Sequence, residues 1–150
     1  MKNLYKWFFA TTLLLVFFGC KKSSTEPPIP AKDTTLPTIS LIDPTAGKTY
    51  VLGSALHLQM DLSDNVELKS YKLDIAKSLK GLVTSEWAYG SGTIAIAAGK
   101  KTLAVNQSEI IVPLTVTGNQ TATGNYDFTV TCYDTSDNHV STTLTIALTK

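Results

Sequence analysis

The chain has 150 residues, 13 lysines and no arginine, 12 acidic residues and a formal net charge of +1. A near-neutral chain without guanidinium groups has no electrostatic footprint for nucleic acid and no bidentate donor for bases, so no nucleic-acid partner is expected. Its two cysteines, Cys20 and Cys132, rule out a disulfide scaffold, and its length suits one domain held by an apolar core.

In chain order, Lys2 and Lys6 open a short basic start, and an apolar run follows from Trp7 to Phe18. That run is too short for a membrane-spanning helix, which needs roughly 20 residues. With Gly19 before Cys20 it has the layout of a secretory signal. Gly19-Cys20 followed by Lys21-Lys22-Ser23-Ser24 resembles a bacterial lipoprotein signal. The resemblance implies that residues 1–19 are removed and that Cys20 is lipidated. The chain would then be anchored to a membrane of the cell envelope, with the outer membrane expected and the face undecided. Ordinary cleavage without lipid is the competing outcome. Residues 20–37 read as a lipidated cysteine and a flexible tether, with Pro27, Pro28 and Pro30 among Ser, Thr and Glu and little to bury.

From Thr38 the pattern becomes short alternating runs broken by turn residues, the mark of an all-β sandwich or barrel. Ile39 and Leu41 alternate before Asp43-Pro44. Leu56, Leu58, Met60 and Leu62 form a second run, and Tyr71, Leu73 and Ile75 a third. Ile94 and Ile96 are weaker, and Glu109 to Leu114 follows. Tyr126, Phe128, Val130 and Cys132 alternate, as do Val140, Thr142, Leu144, Ile146 and Leu148. Period two sends one set of side chains inward and the other to water. Seven strands are predicted, with an extra hairpin carrying Trp87 allowed between Lys77 and Leu103. Residues 38–150 form the predicted domain.

Gly124-x-Tyr126-x-Phe128 resembles the start of strand F in immunoglobulin-like and cadherin-like domains, where a Tyr hydrogen-bonds back to the chain. With Asp33-Thr34-Thr35-Leu36-Pro37, Pro44-x-x-Gly47, Asp64-Asn65-x-x-Leu68 and Asp134-x-x-x-Asn138, the chain is similar to single-domain lipoproteins of the Bacteroidetes type. That resemblance implies an immunoglobulin-like antiparallel sandwich with no assigned activity.

One pattern, Asp-x-Ser-Asp-Asn, occurs twice, at Asp61–Asn65 and Asp134–Asn138. Both copies close predicted strands at one end of such a sandwich, where the first strand also begins and brings Asp33 near. Carboxylates and two amide oxygens would converge, a hard-oxygen set that suits calcium. The likeliest ligands are Asp64 and Asp137, with Asp33, Asp61 and Asp134 as additions. Cadherin-like domains bind calcium at the corresponding end. The plainer reading is that Asp and Asn form side-chain turns at the loops.

Trp87 and Tyr89, before Gly90-Ser91-Gly92, are either an exposed aromatic platform for a partner or a core cover over one end of the sandwich. Cys132 reads as a buried small hydrophobe, and His57 and His139 as isolated histidines. No metalloprotease, C-x-x-C, nucleophile-elbow or Walker pattern is present. The sequence therefore suggests a non-catalytic envelope module that binds a protein or a glycan. The alternative is an accessory domain of a glycan-processing system, or an enzyme inhibitor acting through its loops.

Overall fold

The computed structural model describes residues 31–79, 81 and 85–150. The signal segment, Cys20 and residues 21–30 of the tether lie outside them. Lys32–Lys150 forms one compact unit, and the described residues contain no helix long and apolar enough to cross a membrane.

The architecture is all-β, two packed sheets in a sandwich. Strands are β1 (Thr38–Asp43), β2 (Thr49–Val51), β3 (Ala55–Ser63), β4 (Leu68–Lys77), β5 (Ala88–Gly90), β6 (Ile94–Ala95), β7 (Thr102–Ile111), β8 (Thr115–Val116), β9 (Asn119–Gln120), β10 (Gly124–Asp134) and β11 (His139–Thr149). One sheet has the order β1-β3-β7. The other runs β2-β11-β10-β4-β5, with β6 also on β4, while β8 and β9 form a separate hairpin. Pairing is antiparallel except for β2 beside β11.

The long strands follow the predicted alternation. Leu56, Leu58, Met60 and Leu62 of β3 face Leu73 and Ile75 of β4, Phe128 and Val130 of β10, and Ile146 and Leu148 of β11 across one core. Removing these side chains from water contributes about 1.5–3 kcal/mol each. The alternate positions of β10 and β11 carry Thr129, Thr131, Ser141 and Thr143, whose hydroxyls pair across the strands.

Three expectations are corrected. There are eleven strands among the described residues, not seven. The extra ones are mostly two or three residues long and carry no periodic signal. Between Lys77 and Leu103 the described residues form no separate hairpin: β5 and β6 each pair antiparallel with β4, opposite Asp74–Ala76 and Ser70–Tyr71, and not with each other. The strand expected at Glu109–Leu114 is the tail of β7, which starts at Thr102. Asn138 Nδ2 donates to the carbonyls of Asp33 and Thr35 at 3.1 and 3.3 Å, and Pro37 is buried, so the lead into β1 is tied to the sandwich at these residues.

Candidate functional site

β3 ends at Ser63 and β10 at Asp134, at the same end of the sandwich where the chain reaches β1. Three carboxylates meet there. Asp33, Asp64 and Asp134 each place an oxygen within 4.8 Å of the others. Each comes from a different segment: the N-terminal lead, the β3–β4 loop and the end of β10.

Asp33 and Asp64 are each held by donors on one oxygen, and Asp134 by donors on both. Asp64 Oδ2 accepts the backbone N–H groups of Val66 and Glu67 at 2.8 and 2.7 Å. Asp134 Oδ1 accepts those of Ser136 and Asn138 at 2.8 and 2.7 Å, and its Oδ2 accepts Asn138 Nδ2 at 2.6 Å. Asp33 Oδ1 accepts the Thr35 N–H at 3.0 Å and Asn65 Nδ2 at 3.1 Å. Those two donors, the Thr35 amide first, hold the Asp33 carboxyl below the usual carboxylate range. The remaining oxygens of two of these groups are orphaned: Asp33 Oδ2 and Asp64 Oδ1 are closed off from solvent and accept no hydrogen bond. Buried polar atoms are nearly always partnered, so two donorless anionic oxygens beside a third carboxylate form a set that a cation would satisfy.

The ligand set differs from the sequence expectation. Asp137 is outside the cluster. It takes a left-handed turn conformation (φ 68°), and its side chain, 75% exposed, pairs with Lys69 Nζ at 2.5 Å. The Lys69 ammonium holds the Asp137 carboxyl below its usual range. Asp61 is also outside. It lies two residues before the end of β3 on an exposed position, opposite Ser40 and Ala104. The two amides contribute N–H groups rather than oxygens, because Asn65 Nδ2 meets a carboxylate oxygen of Asp33 and Asn138 Nδ2 meets two backbone carbonyls, all of which only a donor can satisfy. The metal-candidate residues are therefore Asp33, Asp64 and Asp134.

Cys132 points into the core on β10 with no exposure. Burial, reinforced by the charges of Asp64 and Asp134, pushes its thiol up to about 11, so it remains an unreactive thiol at neutral pH. The aromatic-platform reading of Trp87 is corrected by its burial. At 7% exposure it belongs to the core, its ring 6.2 Å from those of Tyr89 and Tyr126. Tyr89 is half-buried on the edge strand β5. His57 bridges strands, with Nδ1 3.2 Å from Asp43 Oδ2 and Nε2 2.7 Å from Asn106 Oδ1.

Fold and site together define a small all-β sandwich domain with an acidic cluster at the end where the chain enters. The chain belongs to the family described as "Domain of unknown function (DUF4625)", which it matches over residues 19–149. No curated protein matches it. Among solved structures it is similar to the Pseudomonas fluorescens alkylpurine DNA glycosylase AlkC bound to DNA containing an abasic site analog. Identity is 11% and the TM-score 0.50, over 76% of this chain and 30% of that one. It is also similar to a β-glucosidase from Listeria innocua in complex with glucose, at 12% identity and a TM-score of 0.39, over 73% of this chain and 16% of that one. The chain thus spans less than a third of the structures it matches, and likeness at such identity extends to the fold alone.

Proposed function

We propose that this chain is a lipid-anchored envelope lipoprotein whose immunoglobulin-like domain is a non-catalytic binding or structural module, and that Asp33, Asp64 and Asp134 hold a calcium ion. The observation that carries the reading is the pair of solvent-excluded, donorless oxygens, Asp33 Oδ2 and Asp64 Oδ1, converging with Asp134. Calcium fits because the set is all oxygen and all carboxylate, with no imidazole or thiolate to favour a softer metal. Support for the immunoglobulin-like reading comes from Tyr126, whose hydroxyl donates to the carbonyl of Ala122 at 2.7 Å, four residues upstream. The division of β1 and β2 between the two sheets agrees with it.

A bound ion stabilises the native state by RT ln(1 + [Ca]/Kd), about 2.7 kcal/mol at a hundredfold excess over Kd. Thermal melts in millimolar calcium against chelator should show an upward shift of the midpoint. Asp64→Asn should abolish that shift while leaving a cooperative melt. Superimposable melts of the native chain in the two conditions would leave the three aspartates with a turn-forming role only.

A further inference from the structure

The loops that carry the acidic cluster also carry apolar side chains with nothing to bury against. Leu36, in the lead that supplies Asp33, is 54% exposed, and Val66, two residues after Asp64, is 46% exposed. Lysines surround the same end. Lys69 pairs with Asp137, Lys101 Nζ donates to the Asn65 carbonyl at 2.8 Å, the Lys100 carbonyl accepts the Leu68 N–H, and Lys32 acts on Asp137 electrostatically. Over residues 32–37, 64–69, 99–101 and 134–138, Asp33, Asp64, Glu67, Asp134 and Asp137 face Lys32, Lys69, Lys100 and Lys101. Negative charge prevails by one group, so a divalent ion reverses the sign of this end.

We propose that, once calcium in the site has reversed the net charge of this end, the domain docks there on an anionic lipid surface, its lysines facing headgroup phosphates and Leu36 and Val66 entering the interface. The inference rests on the calcium reading above. Two apolar side chains beside a cationic rim are the combination that holds peripheral proteins at a headgroup layer. The chain also enters the domain at this end. The eleven residues between Cys20 and Lys32 reach about 40 Å at most, so a lipidated Cys20 would keep this face within range of the bilayer it anchors in.

The test uses the chain from Lys21 to Lys150, which keeps the whole compact unit. It is sedimented with vesicles of phosphatidylcholine alone or mixed with phosphatidylserine, in calcium or chelator. Pelleting is expected only with calcium and the anionic mixture. Leu36→Ser with Val66→Ser should weaken it several-fold while leaving the calcium shift of the melt intact. In the full chain anchored in the same vesicles, an environment-sensitive dye on Val66→Cys should shift to the blue in that one condition. A calcium-dependent melt without calcium-dependent pelleting overturns the docking and leaves the ion site standing. Pelleting that ignores calcium, or that is equal on both vesicle types, also overturns it. No calcium shift in the melt removes the site and the docking together.

Discussion

Burying Tyr126 takes a phenol out of water, and its hydroxyl is satisfied twice: it donates to the Ala122 carbonyl and accepts the Trp87 N–H at 3.3 Å. Tyr126→Phe leaves both backbone groups short of a partner and should cost about 1 kcal/mol. Phe128, two residues on and fully buried, has only apolar packing to lose, and Phe128→Ala should cost about 3–5 kcal/mol. Urea unfolding of both variants gives the ordering, and a larger loss for Tyr126→Phe would contradict it. Both residues were legible because the alternation assigned them inward. The ligand set was only half legible for a local reason. The two Asp-x-Ser-Asp-Asn copies share one pattern but end their strands at different places. β3 stops one residue before Asp64, whereas β10 includes Asp134. The cluster therefore takes the fourth residue of one copy and the first of the other. Composition does not encode that offset.

At the scale of elements, β3, β4, β10 and β11 could be read because more and less buried positions alternate along most of their nine to eleven residues. The start of β7 could not. Leu103 and Val105 are its inward residues before Gln107, and Ala104 between them blurs the alternation. β2 and β6 are too short to have a period; pairing with longer strands makes them strands. The start of β10 is set by Gly124, whose φ of 113° suits no L side chain and whose added Cβ would meet Lys77 Nζ at 3.2 Å. The lysine tip can move aside, but the backbone cannot. Gly124→Ala should therefore destabilise by about 1–3 kcal/mol. Hydrogen exchange should rise first at the Gly124↔Leu148 end of the β10–β11 ladder. Unchanged stability would mean that this turn relaxes without loss.

For the whole molecule, the proposed lipid anchor makes the address depend on one residue. Gly19-Cys20 closes the apolar run, and Cys20→Ala should abolish lipid incorporation and release the chain from the membrane fraction. Retention of that variant in the membrane would refute lipid anchoring. An N-terminal anchor also gives the sandwich a direction of load. β1 starts at the end where the chain enters and runs away from it, matched to β3 from Thr38↔Ser63 to Asp43↔Gln59. A pull on the N-terminus acts along that strand, so its ladder is sheared as a set rather than unzipped bond by bond. Beyond Asp43 the chain crosses to the other sheet, where β2 lies parallel to β11 from Thr49↔Ala147 to Val51↔Thr149, a second ladder in line behind the first. Under the proposed anchoring, drag on a bound partner would be met by two sheared seams, one in each sheet.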